Sequence, residues 1–290
     1  MQTAFAPSAT PQTTSWIKRL ALLLYFILAF GLTWLFWFSG AWGTEGRIVL
    51  PIPPFALMIL GGLGPMLAAI LVTVLESGWA GVRSLFRQLT RFRVNRRWYL
   101  VVFMLIPLLR LAPALLHLAQ GGVLPTEELL QQLIVLPLFF LFVALVGGGL
   151  DEEMGWRGYA LPRLQSIFSP LWANLLLGVI WSCWHIPLWF GSVTEHGSLS
   201  FPVYLVSTTA LSFVLAWIYN GTGNSLLLAV LAHTVSNVSD NLRSTMLRTN
   251  TNPDLDLLFQ AVLAAVIVVA ALVIVVRTRG TLGHTQRNLP

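Results

Sequence analysis

The densest group of ionisable side chains begins at Asp151, directly after an apolar segment that ends in Gly147–Leu150. Glu152 and Glu153 follow, and Arg157 stands four residues after Glu153. On a helix this spacing lets Glu153 and Arg157 pair, while Glu152 points about 100° away. One carboxylate is then held and its neighbour remains available for chemistry. The simpler alternative is an acidic helix end with one salt bridge.

Two histidines lie in later apolar segments. His185 follows a tryptophan-rich run that includes Trp181, and His233 precedes Asn237 by four residues, which places both on one helix face. Each site also has a purely structural explanation. His185 could be a core histidine that forms a hydrogen bond, and His233 or Asn237 could form an interhelical hydrogen bond of about 0.6–2 kcal/mol.

Taken together, these residues are suited to hydrolysis. Glu152 could act as general base on a water, His185 could share or orient that proton, and His233 with Asn237 could donate to an oxyanion. The alternative is a metal site, because Glu152, His185 and His233 are a plausible set of Zn²⁺ ligands, although an HExxH motif is absent. The sequence requires no cofactor, and zinc remains possible.

The composition predicts where these residues lie. The chain has 290 residues, 56% of them apolar and 10% charged, against about 25% charged in soluble domains. A soluble globule, a disordered chain and a disulfide scaffold are excluded, the last because Cys183 is the only cysteine. We predict an all-α, polytopic transmembrane bundle of about eight spans, at residues 18–40, 50–75, 98–119, 129–150, 171–190, 201–219, 225–239 and 257–276.

One domain is expected, with a disordered cytoplasmic N-terminus at 1–17, a transmembrane domain at 18–276 and a cytoplasmic tail at 277–290. With eight spans, 13 cations fall on the side of the termini and three (Arg47, Arg243 and Arg248) on the other. The positive-inside rule therefore predicts cytoplasmic termini in a plasma (bacterial inner) membrane. Membrane lipid is an expected partner and nucleic acid is not.

Three features leave alternatives open. Arg110 lies within the third span, where an ion pair or snorkelling competes with a chemical role. The arginine-rich segment 77–97 is either an interfacial amphipathic segment or a simple topological anchor. The expected depths of Glu152, His185 and His233 also differ, so a common site requires irregular helices, for which Gly147–Gly149 gives room.

The motifs resemble those of the CPBP family of intramembrane proteases, which includes CAAX proteases and bacteriocin-processing enzymes and is also called the Abi family. Residues 152–157 match its EExxxR motif, Trp181 and His185 match an aromatic residue shortly before a histidine, and His233 with Asn237 matches HxxxN. The resemblance covers about residues 130–240.

This resemblance implies an intramembrane endopeptidase acting on a peptide or protein near the cytoplasmic side. Glu152 and His185 would activate water, His233 and Asn237 would stabilise the oxyanion, and Glu153 with Arg157 would support the site. The family has been described as glutamate-type and as metal-dependent, and the residues favour the former. Two other hypotheses are a non-catalytic immunity factor or scaffold and a transporter with an ion relay.

Overall fold

The computed structural model describes residues 11–48, 51–191, 198–250 and 252–285. The described chain forms α-helices joined by short turns. They are α1 (Pro11–Thr44), α2 (Pro54–Gly62), α3 (Gly64–Arg87), α4 (Arg96–Leu100), α5 (Ile106–Ala119), α6 (Thr126–Val146), α7 (Leu150–Glu153), α8 (Leu161–Gln165), α9 (Pro170–Trp184), α10 (Phe201–Gly221), α11 (Leu226–Met246) and α12 (Pro253–Arg277).

Seven helical segments in the described part are long and apolar enough to cross a membrane, so the chain is a multi-pass membrane protein. They are Arg19–Thr44, Pro54–Thr90, Arg96–Ala119, Thr126–Gln165, Pro170–Trp189, Phe201–Gly221 and Leu255–Arg277. The predicted seventh span lies in α11, which has 21 residues but a more polar composition. This helix packs against α5, α6 and α10 inside the bundle. The polytopic helical bundle is confirmed.

Two long segments are broken partway along their length. Leu63 separates α2 from α3, and Pro65 occupies the first turn of α3, where its missing N–H costs no helical hydrogen bond. Gly147–Gly149 separates α6 from α7, and Gly148 has φ +108°. Span four therefore does not end near residue 150 as predicted, because the chain continues as buried helix to Gln165.

The helix after the second break packs closely against the N-terminal half of the bundle. Residues Met154–Ala160 form a π-helical stretch between α7 and α8. A Cβ at Gly155 would lie 2.6 Å from both the Pro65 side chain and the Tyr25 hydroxyl oxygen. Only glycine permits this approach, which brings the acidic motif against α1 and α3.

The structure bears on three of the expectations from the sequence. Helix α1 begins at Pro11, so residues 11–17 are helical rather than disordered. Proline is well tolerated at the first position of a helix. Residues 1–10 lie outside the described part. In the predicted tail, Leu282 is fully buried. Arg157, counted among the cytoplasmic cations, is also fully buried and paired with Glu153, so it does not anchor the chain at the membrane surface.

The two ends of the bundle differ in charge. At one end Arg91 donates to the main-chain oxygen of Gly223, and Gly283, just beyond α12, lies against Gly221. The described arginines of this end are Arg19, Arg83, Arg87, Arg91, Arg93, Arg96, Arg97, Arg163, Arg277 and Arg279. We call it the arginine-rich end. The opposite end carries Arg47, Arg243 and Arg248.

Candidate active site

Glu152 is held by two indoles through a single oxygen. Trp181 Nε1 donates to Oε2 at 2.6 Å, and Trp156 Nε1 donates to the same atom at 3.3 Å. Glu152 is buried, with 6% of its surface exposed. Because both donors hold Oε2, the orientation of the carboxylate is fixed and Oε1 is left facing other groups.

Those other groups surround Gly148. A Cβ built on this glycine would lie 3.1 Å from Glu152 Oε1, 3.0 Å from His233 Nε2 and 2.6 Å from Asn237 Nδ2. Three polar atoms from two of the motifs therefore surround one point, at hydrogen-bonding range of it. The missing side chain and the positive φ both require glycine here.

Glu153 faces the opposite way and makes the predicted pair with Arg157. Its Oε1 accepts from Arg157 Nη1 at 2.8 Å and also lies 2.8 Å from His233 Nδ1. Arg157 donates in addition to Ser212 and stacks over the Trp181 ring. The carboxylate thus fixes the His233 ring so that Nδ1 faces Glu153 and Nε2 faces Gly148, an arrangement that sets which nitrogen is available for chemistry.

The main-chain N–H and C=O groups at the break in span four also form hydrogen bonds. Asp151 Oδ1 accepts from the Gly148 N–H at 2.9 Å, and Asn237 Nδ2 donates to the Gly147 carbonyl at 3.1 Å. These contacts satisfy backbone groups that the lost helical turn leaves open, as irregular backbone at membrane depth requires. Asp151 and Asn237 therefore fix the backbone at Gly148 and Gly147, respectively.

His185 ends α9 and lies beside this group. Its Nδ1 contacts the main-chain oxygen of Trp181 at 2.8 Å, and its ring packs edge-on against Trp184 and Tyr204. Trp181 therefore links His185 to Glu152 through its backbone on one side and its indole on the other. His185 and Glu152 line the same cavity.

The structure thus brings together the residues that the sequence placed at different depths. The reason is the break at Gly147–Gly149, because Glu152 lies past the end of α6 and within reach of Trp181, near the middle of the bundle. Three contributors were not singled out as site residues from the sequence, namely Gly148, Asp151 and Trp156. Trp156 stands four residues after Glu152, and that spacing was the signal available for it.

A cavity of about 770 Å³ leads away from these residues. Its deep wall includes Gly62, Gly148, Glu152 and His233. Its outer wall is formed by residues at the ends and connections of α10, α11 and α12, among them Ser198, Leu199, Leu247, Arg248, Asn250 and Asp256. The lining therefore extends toward the end of the bundle opposite the arginine-rich end.

This direction has a consequence for the predicted orientation. Helix α1 begins and helix α12 ends at the arginine-rich end, away from the mouth of the cavity. If both termini are cytoplasmic, the mouth faces the other side of the membrane. Cytoplasmic termini and a site served from the cytoplasmic side both stay predictions, which this direction sets against each other.

Glu152, His185 and His233 are the alternative set of metal ligands. In the described ranges, no three His, Cys, Asp or Glu side chains are grouped so that they could ligate one metal ion. Glu152, His185 and His233 do not form such a group. His185 Nδ1 contacts a carbonyl and His233 Nδ1 contacts Glu153, which leaves only their Nε2 atoms as ligands.

Comparisons with known proteins agree with the motifs. Residues 132–239 match the family model described as type II CAAX prenyl endopeptidase Rce1-like. A curated relative, CAAX prenyl protease 2 of Methanococcus maripaludis, is 28% identical over 243 residues, covering 76% of this chain and 83% of the relative. The resemblance to the CPBP (CAAX protease) family is thereby confirmed, and the matched region contains every residue of the predicted site.

Proposed function

We propose that the chain is an intramembrane endopeptidase that hydrolyses a peptide bond with a water activated by Glu152. The observation that carries the proposal is the convergence of Glu152 Oε1, His233 Nε2 and Asn237 Nδ2 around Gly148 at the closed end of a cavity. A general base and two groups that can stabilise an oxyanion are the minimum set for hydrolysis by this route.

In the first step, Glu152 Oε1 takes a proton from water as the water oxygen attacks the carbonyl carbon of the substrate. The two tryptophans that hold Oε2 keep the reacting oxygen directed at the water. His185 lines the cavity beside Glu152 and orients that water. Fixing base and nucleophile in this way removes much of the entropic cost of the reaction.

The carbonyl oxygen becomes an oxyanion, which Asn237 and His233 stabilise. The Asn237 amide has two N–H donors, of which one is bonded to Gly147 and the other can serve the site. His233 presents Nε2 to the oxyanion, while its Nδ1 is held by Glu153. When the C–N bond breaks, Glu152 returns the proton to the leaving amine, so the products are an acid and an amine.

Orientation belongs to the same proposal. The arginine-rich end is cytoplasmic by the positive-inside rule, which places both termini there, in a plasma (bacterial inner) membrane. The cavity then receives peptide from the opposite, non-cytoplasmic side, in place of the cytoplasmic-side site expected from the resemblance. Peptides, and lipid around the apolar helices, are the proposed partners.

The activity is tested with quenched fluorescent peptides, prenylated and unmodified, and detergent-purified protein. Wild type, Glu152→Gln and His185→Ala are assayed with and without a chelator. We expect cleavage by wild type alone, unaffected by the chelator. Cleavage lost on chelation would show metal dependence, and cleavage that survives both substitutions would show that the assigned site is wrong. A lack of cleavage by every form would favour the immunity-factor or scaffold hypothesis.

A further inference from the structure

The arginine-rich segment, residues 77–97, carries a concentration of positive charge without a counter-charge of its own. No Asp or Glu occurs between Glu76 and Glu127. Among the residues that the structure describes, the ion pairs involve cations outside this segment, and Glu76 itself pairs with Arg163. The arginines of the segment are all exposed, and they are Arg83, Arg87, Arg91, Arg93, Arg96 and Arg97.

The segment begins where the second span is already long enough to have crossed the hydrocarbon. Residues 54–77 form α2 and the first part of α3 and, at 1.5 Å per residue, extend roughly 36 Å, against about 30 Å for the hydrocarbon core. Gly78 then interrupts α3 with φ +60° and ψ −163°, a conformation that glycine adopts readily. Residues 79–87 therefore leave the axis of the span at the boundary of the membrane.

Beyond this kink, α3 has the pattern of a helix that lies at a membrane surface. Leu85 is buried against the bundle, whereas Trp79 is 70% exposed and Phe86 is 41% exposed. Trp79, Arg83 and Phe86 follow one another at spacings of four and three residues, so rings and cations share one exposed face. Arg87 lies four residues after Arg83, and two like charges at this spacing destabilise a helix unless an anion offsets them.

Hydrogen bonds to the rest of the bundle fix the backbone of this segment. The Tyr219 hydroxyl donates to Gln88 Oε1 at 2.7 Å, and Ser225 Oγ donates to the main-chain oxygen of Arg91 at 2.6 Å. The arginines are therefore presented from an ordered backbone, which reduces the entropy lost when they bind a partner. Topological anchoring does not require this order, because it depends on the number of cations on one side and not on their arrangement.

We propose that residues 79–97 form a surface that binds the phosphate groups of anionic phospholipids in the leaflet at the arginine-rich end. Exposed guanidiniums donate to phosphate oxygens, and Trp79 and Phe86 lie beside them at headgroup level. Nucleic acid offers the same phosphate chemistry, but the spans on both sides of the segment keep it next to the bilayer surface, where anionic lipid is concentrated. The proposal concerns lipid binding and does not depend on the proposed peptidase function.

The test titrates delipidated protein in a non-ionic detergent with dioleoylphosphatidylglycerol or with the neutral dioleoylphosphatidylcholine, and native mass spectrometry counts the bound lipid. The variants are Arg83→Gln/Arg87→Gln and the conservative Arg83→Lys/Arg87→Lys. The control is Arg277→Gln/Arg279→Gln, which removes the same charge from exposed positions at the same end but outside the segment.

We expect wild type, the control and the lysine variant to bind phosphatidylglycerol about a hundredfold more tightly than phosphatidylcholine at low salt. The glutamine variant should bind phosphatidylglycerol about thirtyfold more weakly than wild type, which is about fivefold for each arginine next to an anionic surface. Raising the ionic strength should weaken the binding of phosphatidylglycerol alone. Equal melting temperatures without added lipid would show that the weaker binding is not a loss of folding.

Equal binding of both lipids by wild type would overturn the proposal. An equal loss in the glutamine variant and the control would also overturn it, because the segment would then act only through the general excess of cations at this end. Displacement of phosphatidylglycerol by millimolar inorganic phosphate would assign the surface to free phosphate. Preferential binding of a duplex oligonucleotide at equal phosphate concentration would assign it to nucleic acid.

Discussion

Trp181 Nε1 lies 2.6 Å from Oε2 of Glu152, a residue 29 positions earlier in the chain. The main-chain oxygen of the same tryptophan contacts the His185 ring. The aromatic residue of the second motif therefore connects the carboxylate of the first motif with the histidine of its own motif. It acts through hydrogen bonding as well as through packing.

Removing this indole donor should slow catalysis without loss of the fold. For Trp181→Phe we expect cleavage to fall by about ten- to a hundredfold, since a hydrogen bond to a charged group contributes about 1.5–3 kcal/mol. Trp156→Phe is the matched comparison, with a smaller effect expected because its N–H is 3.3 Å from the same oxygen. Steady-state peptide cleavage measures both, and a larger effect at Trp156 would contradict the geometry.

Replacing the general base should remove activity and leave the protein intact. For Glu152→Gln we expect a loss of about 10²–10⁴-fold in kcat, the usual contribution of a positioned general base. Glu128→Gln, in the exposed first turn of α6, is the control and should cleave at the wild-type rate. Thermal unfolding in detergent would show whether a loss at Glu152 is instead a loss of folding.

Gly148→Ala should inactivate the enzyme, because the added methyl group would occupy the point that Glu152, His233 and Asn237 surround. The control is Gly121→Ala, which has a comparable positive φ of +86° but open space around its Cβ. Both changes strain the backbone by about 1–3 kcal/mol. We expect Gly121→Ala to stay active, and Gly148→Ala to lose activity with a larger loss of stability, because its methyl group would lie 2.6 Å from Asn237 Nδ2. Retention of full activity in Gly148→Ala would show that the point is not the reaction centre.

The buried ion pair should matter for stability more than the partly exposed one. Arg157→Gln leaves Glu153 without its arginine, and breaking such a buried pair costs about 3–5 kcal/mol of unfolding free energy. Arg163→Gln breaks a pair whose arginine is 30% exposed, and we expect a change of about 0–1 kcal/mol. Thermal unfolding in one detergent compares them directly; similar melting temperatures would argue against a stabilising role for Arg157.

Cysteine labelling tests which side the cavity faces. In a Cys183→Ser background, Ser198→Cys lies at the mouth of the cavity and Ser84→Cys lies in the arginine-rich segment. A membrane-impermeant maleimide applied to intact cells should label the first, and the second only after permeabilisation. The reverse pattern would place the mouth in the cytoplasm and would make this chain an exception to the positive-inside rule.

Local spacing in the sequence predicted the local contacts. The Glu153–Arg157 pair follows from a separation of four residues, and the helical bundle follows from the lengths of the apolar segments. The break at Gly147–Gly149 was recognised only as a place where irregularity was possible. Three consecutive glycines do not indicate which of them takes a positive φ, nor that the next helix turns back into the bundle.

Other features depend on contacts between side chains that a single sequence does not reveal. Arg157 was assigned to the membrane surface because hydropathy treats a cation as exposed, whereas in the structure Glu153 neutralises it inside the bundle. The shared contact of Arg110 and Arg243 with Asp240 joins residues more than a hundred positions apart. The direction of the cavity depends on how α10, α11 and α12 are arranged, which spacing does not determine.

The open turn at Gly147–Gly149 also bears on how the second reactant reaches the site. Peptide hydrolysis consumes one water per bond, and the hydrocarbon interior of a bilayer holds almost none. Irregular backbone is tolerated at that depth only where protein or a water-filled space receives its polar groups. At this break the Gly148 N–H and the Gly147 carbonyl are satisfied by Asp151 and Asn237, so the cavity beside it can hold water for the reaction without the backbone competing for that water.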